Sequence, residues 1–151
     1  NRDRIAFSRP GMALTLNGVA QGFITDRAVE LLRAGGVTST LADVGEIRAL
    51  GRRPDGSPWR VGIAGSGEPV DLVDRAIATS SPAGFRFGGA GSPGHVLDPR
   101  SGLGECRHES VSVLAPEAAT ADALATAFCL METARIEELL PALSGVEARL
   151  S

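Results

Sequence analysis

A strand followed almost directly by a helix, within residues 110–131, constrains the fold of this chain more than any other feature. Residues 110–115 form a mainly apolar, alternating run, which predicts a strand. Residues 118–131 are rich in Ala and Leu at helical spacing, which predicts a helix. The short connection places the N-terminus of this helix beside a sheet. Because helix N-termini attract anions, an anion-binding site is expected there.

The remaining predicted elements cluster by type along the chain. A Gly-Gly pair at Gly35 ends a long first helix. A turn at Pro54 links strands that we expect to form an antiparallel meander with residues 59–64. Strands grouped apart from helices are typical of the α+β class. The predicted strands are residues 5–7, 12–16, 39–44, 46–50, 59–64, 70–80 (extended), 85–87 and 146–150, and the further helices are residues 19–33 and 133–143.

Length and composition predict one soluble domain. The chain has 151 residues, of which 43% are hydrophobic, and this is enough for a core. It contains no apolar stretch near membrane-spanning length and no signal-like segment. A net charge of −3 with scattered basic residues argues against a nucleic-acid partner. Cys106, in a charged loop, and Cys129, on an apolar helix, are not expected to form a disulfide, and two His without a CxxC pair give no zinc site.

Asp122 and Thr126 carry the first chemical hypothesis. At a spacing of four residues the two side chains share one face of the predicted helix. A carboxylate and a hydroxyl are hard oxygen donors of the kind that Mg²⁺ accepts, together with water and substrate phosphates. The alternative is a solvated or capping pair. Gly18 and Gly22, at the start of the first helix, leave backbone N–H groups that can approach a phosphate.

Six segments in one order identify a family resemblance. They are LNGVAQGFITDRAVELLRAGGV, LADVGEIRALG, WRVGI, ATSS, HVLDPRSG and SVSVLAPEAATADALATAF. Together they resemble the C-terminal half of the FAD:protein FMN transferases, the ApbE-type flavin transferases. The resemblance implies that residues 1–151 form a single domain, the C-terminal portion of such an enzyme whose N-terminal half is absent. It also implies an antiparallel or mixed sheet packed with two to three helices, in an ApbE-like, T-fold-like architecture.

The resemblance implies an activity as well: Mg²⁺-dependent transfer of FMN from FAD to a threonine hydroxyl of a target protein, with release of AMP. His95 is then the candidate base for the hydroxyl, since imidazole takes up protons near neutral pH; the alternative is a turn histidine bonded to a nearby carbonyl. The other implied site residues are Gly18, Asp122 and Thr126 for the metal, and Thr15, Gln21 and Val96 for the flavin nucleotide.

Several positions depart from the family pattern or have a simpler interpretation. Thr15 and Gln21 are neutral where family members commonly carry charged side chains, so a charge-based flavin contact is not expected there. Asp98, before a proline, is interpreted as a turn former. Asp26 and Arg27 are expected to form an exposed pair of opposite charge, with a site role for Asp26 left open.

Three functions therefore compete. They are a flavin transferase portion, either active or inactive without the N-terminal half, an FAD pyrophosphatase that yields FMN and AMP, and a non-catalytic flavin-binding domain. Both Asp122 and Thr126 are present, which favours catalysis. The resemblance further implies the bacterial cell envelope or periplasm as location and flavin-accepting respiratory redox subunits as partners. A homodimer is also expected.

Overall fold

A computed structural model describes residues 4–63, 68–82, 94–104 and 106–151. It confirms the α+β class, with strands and helices in separate layers. In chain order the elements are α1 (Ala20–Ala34), β1 (Thr40–Asp43), β2 (Ile47–Leu50), β3 (Trp59–Gly62), β4 (Pro69–Leu72), β5 (Ala76–Ser80), β6 (Val111–Ala115), α2 (Ala118–Phe128), α3 (Thr133–Leu139), a 3₁₀ turn (Leu140–Ala142) and β7 (Glu147–Leu150).

The main sheet has five strands in the order β1-β2-β5-β6-β7, and every neighbouring pair is antiparallel. The strand β6 is buried along its whole length, because both faces of the sheet are covered. On one face Val111 and Val113 share a core cluster with the α2 residues Ala125 and Phe128. On the other face Leu114 packs with residues of the β3–β4 hairpin. Because successive side chains of a strand point to opposite faces, β6 contributes residues to two separate cores.

The predicted meander is wrong in its third strand. The strands β1 and β2 pair as expected, but β3 pairs with β4 in a separate two-stranded sheet, with Val61 opposite Val70. The place beside β2 is taken by β5, which pairs Ile47 with Ile77. The predicted extended stretch 70–80 is divided into β4 and β5 at Asp74, whose φ is 50°. On either side of this break, β4 belongs to the two-stranded sheet and β5 to the main sheet.

The predicted strands at residues 5–7 and 12–16 are also wrong. Both segments are irregular and exposed, and no strand in the described ranges pairs with either of them. The alternating pattern is present, but a strand requires a partner for its backbone hydrogen bonds. Large apolar side chains therefore lie exposed, among them Ile5, Phe7 and Leu14. The predicted strand at residues 85–87 lies outside the described residues.

The helices agree with prediction except at their ends. The predicted second helix stops at Phe128, three residues early, and the third gives way to a 3₁₀ turn at Leu140. Within the described part of the chain, no helix is long and apolar enough to cross a membrane. Cys106 and Cys129 are free thiols as expected, although Cys106 packs against the same core cluster that contains Cys129.

Candidate functional site

A cavity of about 780 Å³ lies where the start of α1, the β1–β2 turn, the end of β5 and one face of α2 meet. Its volume falls in the range of small-molecule and cofactor sites. All of the residues predicted from the sequence to form the site line this cavity: Thr15, Gly18, Gln21, His95, Val96, Asp122 and Thr126. The cavity also takes in residues that the sequence did not single out, namely Asn17, Glu46, Thr79, Ser80, Ser81, Leu97 and Leu130.

The crossing of α1 and α2 fixes the carboxylate of Asp122. The backbone N–H of Gly22 donates a hydrogen bond to Oδ2 of Asp122 at 3.0 Å. The two helices approach so closely that a Cβ on Gly22 would lie 2.3 Å from the carbonyl oxygen of Ala118. The Gly22 amide is therefore committed to Asp122 and is not left for a phosphate, contrary to the expectation from the sequence.

Asp122 is buried, with 5% of the residue exposed. Burial raises the pKa of its carboxyl above the ordinary value, and the hydrogen bond from Gly22 opposes that rise. Among the described residues, Gly22 gives the one hydrogen bond that reaches this carboxylate, and it uses Oδ2. The second oxygen, Oδ1, accepts no hydrogen bond from the described residues, and Asp122 lines the cavity.

The carboxylate of Asp26, on α1, accepts hydrogen bonds from the first backbone amides of α2. Its Oδ1 accepts a hydrogen bond from the Ala118 N–H at 2.8 Å, and its Oδ2 accepts one from the Ala119 N–H at 2.9 Å. The guanidinium of Arg48, on β2, pairs with the same carboxylate in a buried position. The expected exposed pair with Arg27 is wrong, because Arg27 pairs with Glu30 on the surface. Asp26 lies on the inner face of α1.

Thr126 and Gly18 lie side by side in the cavity. A Cβ placed on Gly18 would meet Thr126 Cγ2 at 3.1 Å and Oγ1 at 3.3 Å, so the backbone of the turn before α1 approaches the threonine closely. The Thr126 Oγ1 also lies 3.2 Å from Ser80 Oγ at the end of β5. This arrangement collects a carboxylate, two hydroxyls and a stretch of glycine backbone at one end of the cavity.

The segment from His95 to Gly102 is a closed turn. The Asp98 N–H donates to the Leu103 carbonyl at 2.8 Å, and the Gly102 N–H donates to the Asp98 carbonyl at 2.7 Å. Hydrogen bonds from the side chain and backbone of Arg100 lower the pKa of Asp98. This geometry agrees with the interpretation of Asp98 as a turn former. The turn exposes His95 and buries Val96 in the wall of the cavity.

Glu46 enters the site from the turn between β1 and β2. Gly45 adopts a φ of +107°, and a Cβ there would lie 3.3 Å from the side chain of Gln21, so the turn rests on the first turn of α1. Burial first, and then the negative charges of Asp122 and Asp43, raise the pKa of Glu46 to about 7. The sequence did not single out Glu46, because its approach to Asp122 depends on tertiary structure.

The charge of the cavity lining is negative. Glu46 and Asp122 contribute carboxyl groups, and among the described lining residues no Arg or Lys balances them. Nor do three His, Cys, Asp or Glu side chains cluster as a metal site anywhere in the described ranges. The predicted metal set consists of one carboxylate, one hydroxyl and one backbone carbonyl, so it would not form such a cluster. The roles assigned to Gly18, Asp122 and Thr126 stay predictions.

Comparison with known proteins identifies the family of this chain. The model of the ApbE family matches residues 1–150. A FAD:protein FMN transferase from Treponema pallidum is 33% identical over 162 aligned residues, which cover 95% of this chain and 45% of that protein. One from Haemophilus influenzae is 30% identical, with 91% and 44% covered. The chain thus spans a little under half the length of these curated relatives.

Solved structures give the same result. The ApbE protein of Thermotoga maritima superposes with a TM-score of 0.83 at 27% identity, over 93% of this chain and 49% of that one. The apo form of the Pseudomonas stutzeri flavinyl transferase ApbE gives a TM-score of 0.70 at 30% identity, over 91% and 47%. On the evidence of sequence and fold together, this chain belongs to the ApbE family.

Proposed function

We propose that this chain carries the cation site and part of the nucleotide site of a FAD:protein FMN transferase. In this reaction the FMN part of FAD moves to a threonine hydroxyl of a target protein and AMP is released. The meeting of Gly18, Asp122 and Thr126 at one cavity is the observation that carries the proposal. The names of the relatives, FAD:protein FMN transferase, support the same chemistry.

The donor set fits Mg²⁺. The Asp122 Oδ1, the Thr126 hydroxyl and the Gly18 carbonyl are hard oxygen donors, and Mg²⁺ completes such a set with water and phosphate oxygens. The cavity contains two carboxyl groups and no Arg or Lys among its described lining residues. A pyrophosphate would therefore meet only negative charge there unless a cation were present. When bound, Mg²⁺ supplies charge stabilisation for the pyrophosphate and for its breaking P–O bond.

The side chains of this chain account for the remaining steps. His95 accepts the proton of the acceptor threonine hydroxyl, whose oxygen forms a bond to the phosphorus of the FMN part. The bond between that phosphorus and the AMP oxygen breaks, and AMP leaves with the bonding electron pair. The exposure of His95 leaves it within reach of a protein acceptor. Gln21 and the buried Val96 contact the flavin nucleotide along the wall of the cavity.

Mass spectrometry tests the reaction. The enzyme that contains this chain is incubated with FAD, Mg²⁺ and a threonine-containing peptide from a target protein, with the Thr→Ala peptide as control. Transfer predicts a gain of one FMN on the threonine peptide alone, together with AMP. Free FMN and AMP without a modified peptide would instead support FAD hydrolysis. FAD that is bound but unchanged would support the non-catalytic flavin-binding function.

We also propose the bacterial cell envelope as the location and respiratory redox subunits as the acceptors. This part rests on the family resemblance, and the two FAD:protein FMN transferases compared above are bacterial proteins. Fractionation of cells that express the tagged protein tests the location. Flavin fluorescence of envelope proteins separated on a denaturing gel tests the acceptors, because a covalently bound flavin survives denaturation.

A further inference from the structure

The two helices at the cavity cap each other. An α-helix leaves its first N–H groups without partners inside the helix. The residues that precede α1 and α2, Val19 and Glu117, make no side-chain capping hydrogen bond. The partners come instead from the opposite helix: Asp122 of α2 accepts from the Gly22 N–H in the first turn of α1, and Asp26 of α1 accepts from two N–H groups at the start of α2.

This reciprocal pair of contacts fixes α2 in two respects. Asp26 holds the N-terminus of α2 through the Ala118 and Ala119 amides, so α2 cannot slide along its axis without losing both bonds. The contact between Gly22 and Asp122, one turn further along α2, fixes its rotation. Thr126 follows one turn later and faces Gly18. The distance from the Asp26 contacts to the oxygens at the cavity is thus two turns of a single helix.

We propose that Asp26 is a positioning residue for the cation site. It does not line the cavity; it acts through α2, whose position sets where the oxygens of Asp122 and Thr126 lie relative to Gly18. This inference rests on the proposed cation site. Residues that orient metal ligands without touching the metal commonly contribute about 10- to 100-fold to metal affinity.

Arg48 has a supporting part in the same arrangement. Its guanidinium, only 11% exposed, pairs with the Asp26 carboxylate, which is 10% exposed. A buried carboxylate without a cationic partner is strongly unfavourable, so Arg48 compensates the negative charge of Asp26 at the start of α2. The positive end of the α2 dipole favours the same charge. Arg48 thereby ties the position of α2 to the sheet as well as to α1.

Calorimetric titration of Mg²⁺ into this chain tests the proposal with three variants. Asp26→Asn removes the charge and one of the two acceptor oxygens, and Arg48→Met removes the partner of Asp26 while the two amide contacts remain. Asp71→Asn is the matched control, because Asp71 forms an exposed ion pair on β4. Thermal unfolding of each variant is recorded first, so that every titration is performed on fully folded protein.

Positioning predicts that Asp26→Asn raises the Mg²⁺ dissociation constant by about 10- to 100-fold. It predicts a smaller rise for Arg48→Met and none for Asp71→Asn. If Arg48 acted only through its charge, Arg48→Met would lower the Mg²⁺ dissociation constant, since loss of a positive group should strengthen cation binding. Equal dissociation constants in wild type and Asp26→Asn, or tighter binding by Arg48→Met, would overturn the proposal. If Asp26→Asn does not fold, the change in the Mg²⁺ dissociation constant of Arg48→Met decides: a rise supports the proposal, and no change or a fall overturns it.

The same titration separates this inference from the proposed function. If the wild type, Asp26→Asn and Arg48→Met all bind Mg²⁺ equally well, Asp26 has no positioning role and the cation site stands. Wild-type protein that shows no saturable Mg²⁺ binding would remove the cation site, and the positioning role with it.

Discussion

The backbone N–H of Gly22 donates to Oδ2 of Asp122 at 3.0 Å, across 100 positions of sequence. One oxygen of this carboxylate thereby holds the two helices together, and the other is left for the cavity. The same group therefore serves the fold and the proposed cation site. Substitutions near Asp122 can therefore act in two ways. Some disturb the crossing of α1 and α2, and others keep the crossing and remove only an oxygen of the proposed cation site.

Gly22→Ala tests the closeness of the helix crossing. The added Cβ would lie 2.3 Å from the Ala118 carbonyl oxygen, so α1 and α2 must move apart. Overpacking of this kind costs about 1–3 kcal/mol of unfolding free energy. Thermal unfolding followed by circular dichroism should show a clear fall in Tm. The control is Gly62→Ala, since a Cβ there meets nothing within 4 Å; equal Tm values for the two variants would show that the crossing tolerates a side chain.

Glu46→Gln should change the dependence of stability on pH. Burial and the neighbouring carboxylates Asp122 and Asp43 raise the pKa of Glu46 from 4.5 to about 7 in the folded protein. The folded state therefore binds this proton more tightly than the unfolded state does. The contribution of Glu46 to stability is thus lost as the pH rises from about 4.5 to 7.

Glutamine keeps the shape of the side chain and does not titrate. The variant should accordingly match the wild type in Tm near pH 4.5 and exceed it at pH 8. Glu138→Gln, on the exposed face of α3, is the control: Glu138 does not line the cavity, and loss of its ion pair with Arg135 should leave the Tm at pH 8 no higher than that of wild type. A Tm difference for Glu46→Gln that is constant across this range would contradict the account.

His95→Ala should slow transfer without weakening FAD binding. A general base acts on the transition state, so its loss should lower the single-turnover rate by about 10²- to 10⁴-fold and leave the FAD dissociation constant nearly unchanged. The matched control is His108→Ala, because His108 bonds to the Met131 carbonyl and does not line the cavity. An unchanged rate, or a loss confined to FAD binding, would assign His95 a role in positioning.

The apolar surface of α1 predicts association of this chain. Phe23, Ile24 and Leu31 are all more than half exposed, and the segment before α1 also exposes large apolar side chains. Light scattering after gel filtration should show a mass that rises with protein concentration. Leu31→Gln should reduce the association. A monomer at all concentrations would contradict the prediction.

FAD should bind to this chain far more weakly than to a relative of full length. The chain covers 45% of the Treponema pallidum protein, and part of the cavity wall described here is the turn that carries the exposed His95. Parallel titrations of the two proteins with FAD in the presence of Mg²⁺ measure the difference. Equal affinities would mean that these residues contain the complete nucleotide site.

Local patterns predicted most of the elements but few of their contacts. The helical periodicity and the Gly-Gly pair at Gly35 located α1, and alternation located β6. The strands at residues 5–7 and 12–16 failed because alternation does not supply a pairing partner. The site residues at Asp122 and Thr126 were accessible to reasoning because they lie four positions apart on one helix.

The contacts that hold the site together were not accessible in this way. The Asp26 carboxylate binds amides 92 and 93 positions away, and its charged partner Arg48 lies on another element. The sequence offered Arg27 as a nearer partner, and local proximity favoured the wrong choice. Glu46 was missed for the same reason, since its neighbour Asp122 approaches only when the β1–β2 turn rests on α1.

The most direct test of the cation site is the binding of Mg²⁺ to wild-type protein and to Asp122→Asn, measured by calorimetry. Asparagine keeps an oxygen that can accept the Gly22 N–H, so far-ultraviolet circular dichroism should be unchanged, with a modest shift in Tm. The account predicts saturable binding of Mg²⁺ to the wild type, none to Asp122→Asn, and a weakened response in Thr126→Val. Folded Asp122→Asn protein that binds Mg²⁺ as tightly as the wild type would contradict it.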